Sequence, residues 1–384
     1  MNNKRILFIA SYSGLMGANL SMLQLMIELK KMGHTPLLLI PCEGLLSNEL
    51  KKNNIEYVTS LFFLSLCDTS SIICWAKGLI RVLINPVFYL FAYAKVRYKF
   101  NKIDIIHSNS SVIHIGEFFN LISGIKHVKH LREFGSIDYN LNYALGKWLQ
   151  KKLNNWFVNQ NIAISDSINK HYTKIGFKNI ITIYNGISDD RIYKKNICEK
   201  RDYTNIICIG VINEKKNQKQ VVESVISIIE NTPQKICLYL LGGDNSIYAE
   251  SLKRYVIEHN AEKYVIFCGY KKDISTEISN ADIAVVPSLN EAFGRVTIEY
   301  MLNHIPVIVS NKGANVELVE NHISGLVYNI ENTSSLEKCI LRLCEDYPLR
   351  YKLSDAAYNF AKCKYTSLVN AKCISDIYDK TEKI

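Results

Sequence analysis

The stretch that most constrains the fold joins a short apolar run to a glycine-bearing loop and then to a mixed apolar segment. Residues 281–287 (ADIAVVP) end in proline and are typical of a strand buried in a parallel sheet. Gly294 marks the loop, and the apolar positions from Val296 to Leu302 are compatible with a helix. This order predicts an anion site, because the free N–H groups and the positive end of the helix dipole face the loop.

Two acids flank this predicted anion site, Glu291 in the loop and Glu299 one turn inside the helix. A carboxylate repels phosphate, so we assign both side chains to ligand hydroxyl groups, from which ionised carboxylates accept hydrogen bonds. The ligand then contains sugar, diphosphate and sugar in sequence, which describes a nucleotide-sugar. Two solvated helix acids are the plain alternative.

The segment EAFGRVTIE (residues 291–299) resembles the acid–seven–acid motif of the retaining glycosyltransferases of family 4, which have the GT-B architecture. The resemblance covers nearly the full length and is specific mainly in the second half. It implies an α/β fold with two Rossmann-like, doubly wound domains facing a cleft. The expected organisation is an acceptor-binding domain, a linker, a donor-binding domain and a helix that returns to the first domain, at residues 1–188, 189–203, 204–364 and 365–384.

The resemblance also implies how the donor is bound. In this family the first acid approaches the donor sugar and the second binds the nucleotide ribose, which assigns these roles to Glu291 and Glu299. Glu291 is therefore also a predicted catalytic residue. The backbone around the intervening positions would meet the diphosphate, namely Phe293, Gly294, Arg295 and Val296.

The loops after the first strand of each predicted domain resemble family loops as well. Gly17 lies in the first one, where the family's glycine lets substrate approach the backbone, although the G-x-G-x-x-G dinucleotide fingerprint is not present. In the second one, Lys216 matches the lysine that neutralises the donor diphosphate, and we predict that it is catalytic. Val211 stands where the family usually has an arginine, which makes Arg295 or Lys215 a candidate replacement.

Candidate acceptor-side residues follow two predicted strands of the first domain. Asn109 follows the strand at residues 102–108, at the carboxyl end where open α/β sheets bind ligands. Arg132 and Glu133 follow the next such strand, at a place where the family usually carries a His-Asp pair. We predict a catalytic role for Arg132 and an acceptor-side position for Glu133; a local ion pair between them is the alternative.

Charge is unevenly distributed along the 384 residues. Residues 1–190 contain 21 Lys and Arg against 12 Asp and Glu, a net charge of +9, whereas the remainder carries +1. Residues 72–100 combine aromatic with basic side chains around Pro86, which interrupts the segment. This pattern suits either two ordinary core helices or a surface that rests on anionic lipid.

Composition limits the cellular setting. Residues 6–10 are too short for a signal-peptide core, and we find no run of about 18 uncharged apolar residues, so we expect a cytoplasmic protein, at most peripheral to the inner face of the plasma membrane. Eleven scattered cysteines without a CxxC pair indicate free thiols. No D-x-D triplet occurs, so we expect neither a metal nor another cofactor.

The sequence thus predicts a retaining hexosyltransferase that uses a UDP- or GDP-linked sugar and a saccharide acceptor, which we expect to be lipid-linked, in bacterial surface-polysaccharide synthesis. An anionic membrane surface is a predicted partner, and nucleic acid is not. Alternatives are a nucleotide-sugar epimerase on the same scaffold, a non-catalytic sugar-binding module, and a nucleic-acid-binding protein, which the net charge of +10 suggests.

Overall fold

The computed structural model describes residues 3–68, 70–139, 141–144, 146–193 and 203–382. The chain divides into two compact units, residues 1–186 with 367–384, and residues 187–366. We describe each unit by itself. Most of the segment that we expected to be a linker, residues 194–202, lies outside the described residues.

Unit 1 alternates strands and helices, as the sequence pattern predicted. Its elements are β1 (Arg5–Ile9), α1 (Gly17–Lys31), β2 (Thr35–Ile40), α2 (Leu45–Lys52), β3 (Glu56–Thr59), β4 (Leu66–Cys67), α3 (Ile72–Lys99), β5 (Ile105–Ser108), α4 (Ile115–Ser123), β6 (Lys126–Leu131), α5 (Ser136–Tyr139), β7 (Asn142–Tyr143), α6 (Gly146–Phe157), β8 (Gln160–Ala163), α7 (Asp166–Ile175) and β9 (Ile180–Thr182).

Unit 2 repeats the same alternation. Its elements are β10 (Thr204–Ile209), α8 (Gln218–Asn231), β11 (Ile236–Leu241), α9 (Ile247–Glu258), β12 (Val265–Gly269), α10 (Ser275–Asn280), β13 (Ile283–Val286), α11 (Arg295–Leu302), β14 (Val307–Ser310), α12 (Asn315–Leu318), β15 (Leu326–Tyr328), α13 (Thr333–Glu345) and α14 (Tyr347–Lys364). The chain then ends in α15 (Ser367–Glu382), which packs against α1 and so belongs to unit 1.

Each unit is built on a parallel sheet. Within the described residues, the parallel sheet of unit 1 has seven strands in the order β3-β2-β1-β5-β6-β8-β9, and that of unit 2 has six in the order β12-β11-β10-β13-β14-β15, while β4 and β7 form a separate antiparallel pair in unit 1. In both sheets the order reverses direction beside the first strand of the unit. Parallel sheets of this kind bind ligands at the carboxyl ends of the strands next to such a reversal, so the fold places the predicted site loops where a ligand is expected.

The prediction that Pro86 interrupts residues 72–100 is wrong. Residues 72–99 form one helix of 28 residues, α3, with Pro86 inside it. Proline removes the N–H that would bind the carbonyl of Val82. Buried residues on both sides of it, Val82 and Tyr89, anchor the two halves of the helix to unit 1 and offset that loss.

The same helix differs from the predicted pair of core helices in its exposure. A small part of α3 is buried, and by length and composition alone it is long and apolar enough to cross a membrane. Sequence inspection missed this because Arg81 and Pro86 break the apolar run.

Candidate functional site

The predicted strand, loop and helix of the donor site are β13, residues 287–294 and α11. Gly294 is the N-cap of α11 and has φ +86°, a left-handed conformation that favours glycine. Phe293 beside it is buried and packs edge-on against the ring of Tyr365, with 6.2 Å between centroids. The first N–H groups of α11 have no partner within the helix and point toward the loop, so this end of the helix offers donors to an anion.

Glu291 is held from several sides. Its Oε1 accepts a hydrogen bond from Ser288 Oγ at 2.9 Å, and its backbone carbonyl accepts one from Ala314 N at 2.9 Å. A Cβ on Gly313 would lie 2.4 Å from the Glu291 backbone nitrogen, so glycine permits this close approach. The carboxylate therefore has a defined position before any ligand arrives.

The structure brings Lys216 to Glu291. Lys216 Nζ forms an ion pair with Glu291 Oε1 across 75 positions of sequence. The lysine ends a short 3₁₀ turn after β10, which Asn213 caps by accepting a hydrogen bond from Lys216 N at 3.0 Å. Leu289 N donates to the Lys215 carbonyl at 2.9 Å, which ties the two loops together.

Val211, at the place of the family's arginine, is 53% exposed. The proposed replacement, Arg295, binds within its own helix: its Nε donates to Glu299 Oε1 at 3.2 Å, and both side chains are largely buried. Arg295 is the first residue of α11, and Val296 follows it with a half-buried side chain.

Sequence reasoning missed Arg191, which interacts electrostatically with the Glu299 carboxylate. Burial lowers the pKa of Arg191, but Glu299, Tyr193 and Asp190 outweigh it and raise that pKa. Asn303 fixes this segment, since its Nδ2 donates to the Arg191 carbonyl at 2.8 Å. Arg191 lies in the charged segment that we expected to be linker, where no local pattern marks it.

In unit 1, Glu133 is fixed by the loop after β5. Its Oε1 accepts hydrogen bonds from Ser110 Oγ (2.6 Å), Ser111 N (2.8 Å) and Ser111 Oγ (2.9 Å). Burial raises the pKa of the Glu133 carboxyl, although these hydrogen bonds oppose the shift. Tyr12, in the loop after β1, is close enough for Glu133 to raise the pKa of its hydroxyl, after burial as the larger cause.

The Arg132 guanidinium binds side chains other than that of its neighbour Glu133. Its Nε donates to Asn109 Oδ1 and its Nη1 to Asn185 Oδ1, each at 2.5 Å. Arg132 thus contacts Asn109, which the sequence did not predict, and the two side chains of the alternative Arg132–Glu133 ion pair engage different groups. Gly17 is the first residue of α1, and a Cβ there would meet open space.

A buried polar network, which the sequence did not reveal, continues from Arg132. Arg132 Nη2 lies 3.2 Å from His130 Nδ1, which lies 3.2 Å from His107 Nε2, and His107 Nδ1 lies 2.6 Å from the hydroxyl of Tyr378 on α15. Burial and then the Arg132 charge hold the pKa of both histidines well below its ordinary value. Neutral histidines thus link the predicted acceptor side to the C-terminal helix.

Comparisons with known proteins agree with this geometry. Residues 189–360 match the family model described as glycosyl transferases group 1. The chain is 25% identical over 308 residues, 76% of each protein, to the Escherichia coli UDP-Gal:alpha-D-GlcNAc-diphosphoundecaprenol alpha-1,3-galactosyltransferase.

Among solved structures, the chain is similar to Anabaena HepE in complex with UDP. The TM-score is 0.81 at 19% identity, covering 98% of this chain and all of HepE. WaaG, a glycosyltransferase involved in lipopolysaccharide biosynthesis, gives a TM-score of 0.67 at 14% identity, covering 96% of this chain and 98% of WaaG. Residues 189–360 are therefore similar to the group 1 glycosyltransferases, and the chain as a whole has the GT-B fold of two Rossmann-like domains.

Proposed function

We propose that this protein transfers a hexosyl unit, with retention of anomeric configuration, from a nucleotide-sugar to a lipid-linked saccharide in bacterial polysaccharide synthesis. The observation that carries the proposal is the Lys216–Glu291 pair beside the N-terminus of α11. The name of the Escherichia coli relative supports the class of donor and acceptor, and the UDP complex of HepE supports a nucleotide ligand.

In the proposed mechanism, Lys216 neutralises the leaving diphosphate. Without a ligand its ammonium pairs with Glu291, so a bound diphosphate adds a second negative partner to a cation that is already in position. The N–H groups at the start of α11 supply further donors. Such preorganised groups favour the transition state because they need no rearrangement as charge develops on the leaving group.

Glu291 and Glu299 have separate tasks in this mechanism. Glu291, fixed by Ser288 and Lys216, binds hydroxyls of the donor sugar. Glu299, neutralised by Arg295 and Arg191, binds the ribose hydroxyls as an ionised acceptor. We assign no step to a metal ion or another cofactor, because these residues supply the charge that the leaving group requires.

The acceptor hydroxyl is assigned to unit 1. Glu133 has one oxygen fixed by Ser110 and Ser111, and its raised pKa suits exchange of a proton with a hydroxyl group. Arg132 positions Asn109, which precedes Ser110 and Ser111 in the same loop.

The test is transfer from a radiolabelled nucleotide-sugar, with nucleoside diphosphate release measured in parallel. Lys216→Met should lower turnover by about 10²- to 10³-fold, the usual loss for one preorganised transition-state donor. Lys219→Met is the matched control, because Lys219 lies on α8 and pairs with Glu223. Near-normal turnover by the Lys216 variant would remove the pair from the mechanism, and donor epimerisation without transfer would favour an epimerase. Proton NMR of the first-formed product reads the anomeric configuration.

We assign this activity to the inner face of the plasma membrane, where α3 of unit 1 makes the contact. The exposed side of α3 carries an apolar row at helical spacing, of which Ile80, Val87 and Phe91 are 57%, 54% and 64% exposed. One border of the row is basic, with Lys77, Arg81, Lys95 and Lys99 exposed. The opposite side packs on the core of unit 1, so α3 lies in the membrane plane rather than crossing it.

Co-sedimentation with vesicles tests this location. Binding to anionic vesicles should fall when salt is raised to about 0.5 M, because screening shortens the electrostatic range to a few ångströms. The double change Lys77→Ser and Arg81→Ser should weaken binding, whereas Lys170→Ser with Lys174→Ser on α7 should not. If vesicle binding does not depend on lipid charge and is unchanged in both double variants, α3 does not form the membrane contact.

A further inference from the structure

A cavity of about 190 Å³ lies in unit 1 between α3, α4 and α6. Its walls are apolar and come from all three helices, with Val82 from α3, Phe118 and Leu121 from α4, and Leu153 and Phe157 from α6. Pro86 also lines it, at the point where α3 lacks a backbone N–H. The walls are suited to a hydrocarbon chain.

Two residues that line the cavity each have a buried polar atom without a hydrogen-bond partner among the described residues, Ser65 Oγ and Glu117 Oε2. Buried polar groups are nearly always bonded, so these atoms mark a place for a polar group of a ligand. The carboxylate oxygen accepts a hydrogen bond and the serine hydroxyl donates or accepts one. A ligand hydroxyl satisfies both.

Glu117 has a fixed charge and position. Its other oxygen, Oε1, accepts from Lys129 Nζ at 2.5 Å and lies 3.1 Å from His114 Nδ1. Burial opposes its ionisation, but Lys129 and then His114 outweigh burial and hold the pKa of the carboxyl below its ordinary value. Glu117, which lines the cavity, therefore keeps an ionised carboxylate whose second oxygen can accept a hydrogen bond.

The cavity lies near two features of unit 1, the exposed side of α3 and the loop that holds Glu133. Leu121 lines it and is 57% exposed, and Leu83 and Leu90 of α3 are exposed on either side of Pro86. His114 of the cavity follows Ser111 by three residues, so about 10 Å of chain at most separates it from the loop that holds Glu133. An amphiphile in the cavity would thus have its chain toward the proposed membrane face and its head near the proposed acceptor side.

We propose that this cavity binds a hydroxyl-bearing amphiphile, with the hydroxyl group at Glu117 and Ser65 and the hydrocarbon chain along the apolar walls. This inference rests on the proposed function, in which the amphiphile is the lipid portion of the acceptor. The cavity then selects acceptors that join a hydroxyl-bearing head to a single chain, and it does so in unit 1, independently of the donor.

The probe for binding is octyl glucoside below its micelle concentration, with methyl glucoside as the chainless control, measured by calorimetry on the full chain. The wild type should bind octyl glucoside and not methyl glucoside. Ser65→Leu fills the cavity and should weaken binding at least tenfold, and Ser65→Ala, which removes the hydroxyl alone, should weaken it severalfold. Ser70→Leu is the matched control, because Ser70 lies on the same segment and is exposed.

Absence of octyl glucoside binding by the wild type, or wild-type affinity in both Ser65 variants, would overturn the proposal. Titration of the same samples with UDP measures nucleotide binding by unit 2. A sample that binds UDP but not octyl glucoside contradicts the cavity proposal alone, whereas a sample that does not bind UDP contradicts the proposed function. In transfer assays, an octyl-linked acceptor analogue should have a KM at least tenfold below its methyl-linked counterpart, and Ser65→Leu should remove that difference. If Ser65→Leu leaves the ratio of the two KM values unchanged, the cavity does not bind the acceptor, and the acceptor assignment is overturned.

Discussion

Replacing Lys129 by methionine tests how the interior of unit 1 tolerates charge. Lys129 is fully buried, and its Nζ donates to Glu117 Oε1 at 2.5 Å and to the Ile113 carbonyl at 2.9 Å. Glu117 is 2% exposed. Methionine keeps the length of the side chain and removes the cation, which leaves the Glu117 carboxylate buried without its main counter-charge.

The expected loss in free energy of unfolding is about 3–5 kcal/mol, the usual cost of breaking a buried pair from one side. Adding Glu117→Leu removes the remaining charge, so the double variant should recover most of that loss. This recovery separates an uncompensated charge from a general packing defect. Lys102→Met is the control, because Lys102 pairs with Asp104 at the surface, where a pair contributes about 0–1 kcal/mol.

Urea unfolding followed by tryptophan fluorescence is the assay. All three tryptophans of the chain lie in unit 1, Trp75 on α3 and Trp148 and Trp156 on α6, so the signal reports this unit. A loss below about 1 kcal/mol for Lys129→Met, or a double variant less stable than the single one, would refute the reasoning.

Three further predictions concern protons and single contacts. Burial lowers the pKa of His127 to about 4, so the unfolded chain binds a proton that the folded one does not; unit 1 should lose about 3 kcal/mol as pH falls from 6.5 to 4, measured by urea titrations at several pH values. Glu299→Ala should weaken UDP binding by about 1.5–3 kcal/mol, the usual contribution of hydrogen bonds to a charged group, and unchanged affinity in calorimetry would remove Glu299 from the site. Tyr378→Phe removes the hydrogen bond to His107 and should destabilise unit 1 by about 1 kcal/mol in the fluorescence assay; no change would show that the bond is replaced.

Sequence alone determined the local elements. The strand, glycine loop and helix at 283–302 were predictable because buried strands, left-handed glycines and helix starts each leave a short-range pattern. The family-like motif from Glu291 to Glu299 lies within one such unit. The alternation of strands and helices along both halves predicted the two-sheet fold for the same reason.

Tertiary structure alone decided which distant side chains meet. Lys216 reaches Glu291 because parallel strands separated by helices bring their carboxyl ends to one edge, and Arg191 comes close enough to Glu299 for the carboxylate to raise its pKa. No local pattern encodes such a pair, since its members are separated by 75 positions or more. The exposure of α3 was likewise not predictable from its sequence, which is compatible with a core helix. Only the packing of α3 on one side of unit 1 leaves its apolar row exposed and the cavity beside Pro86 open.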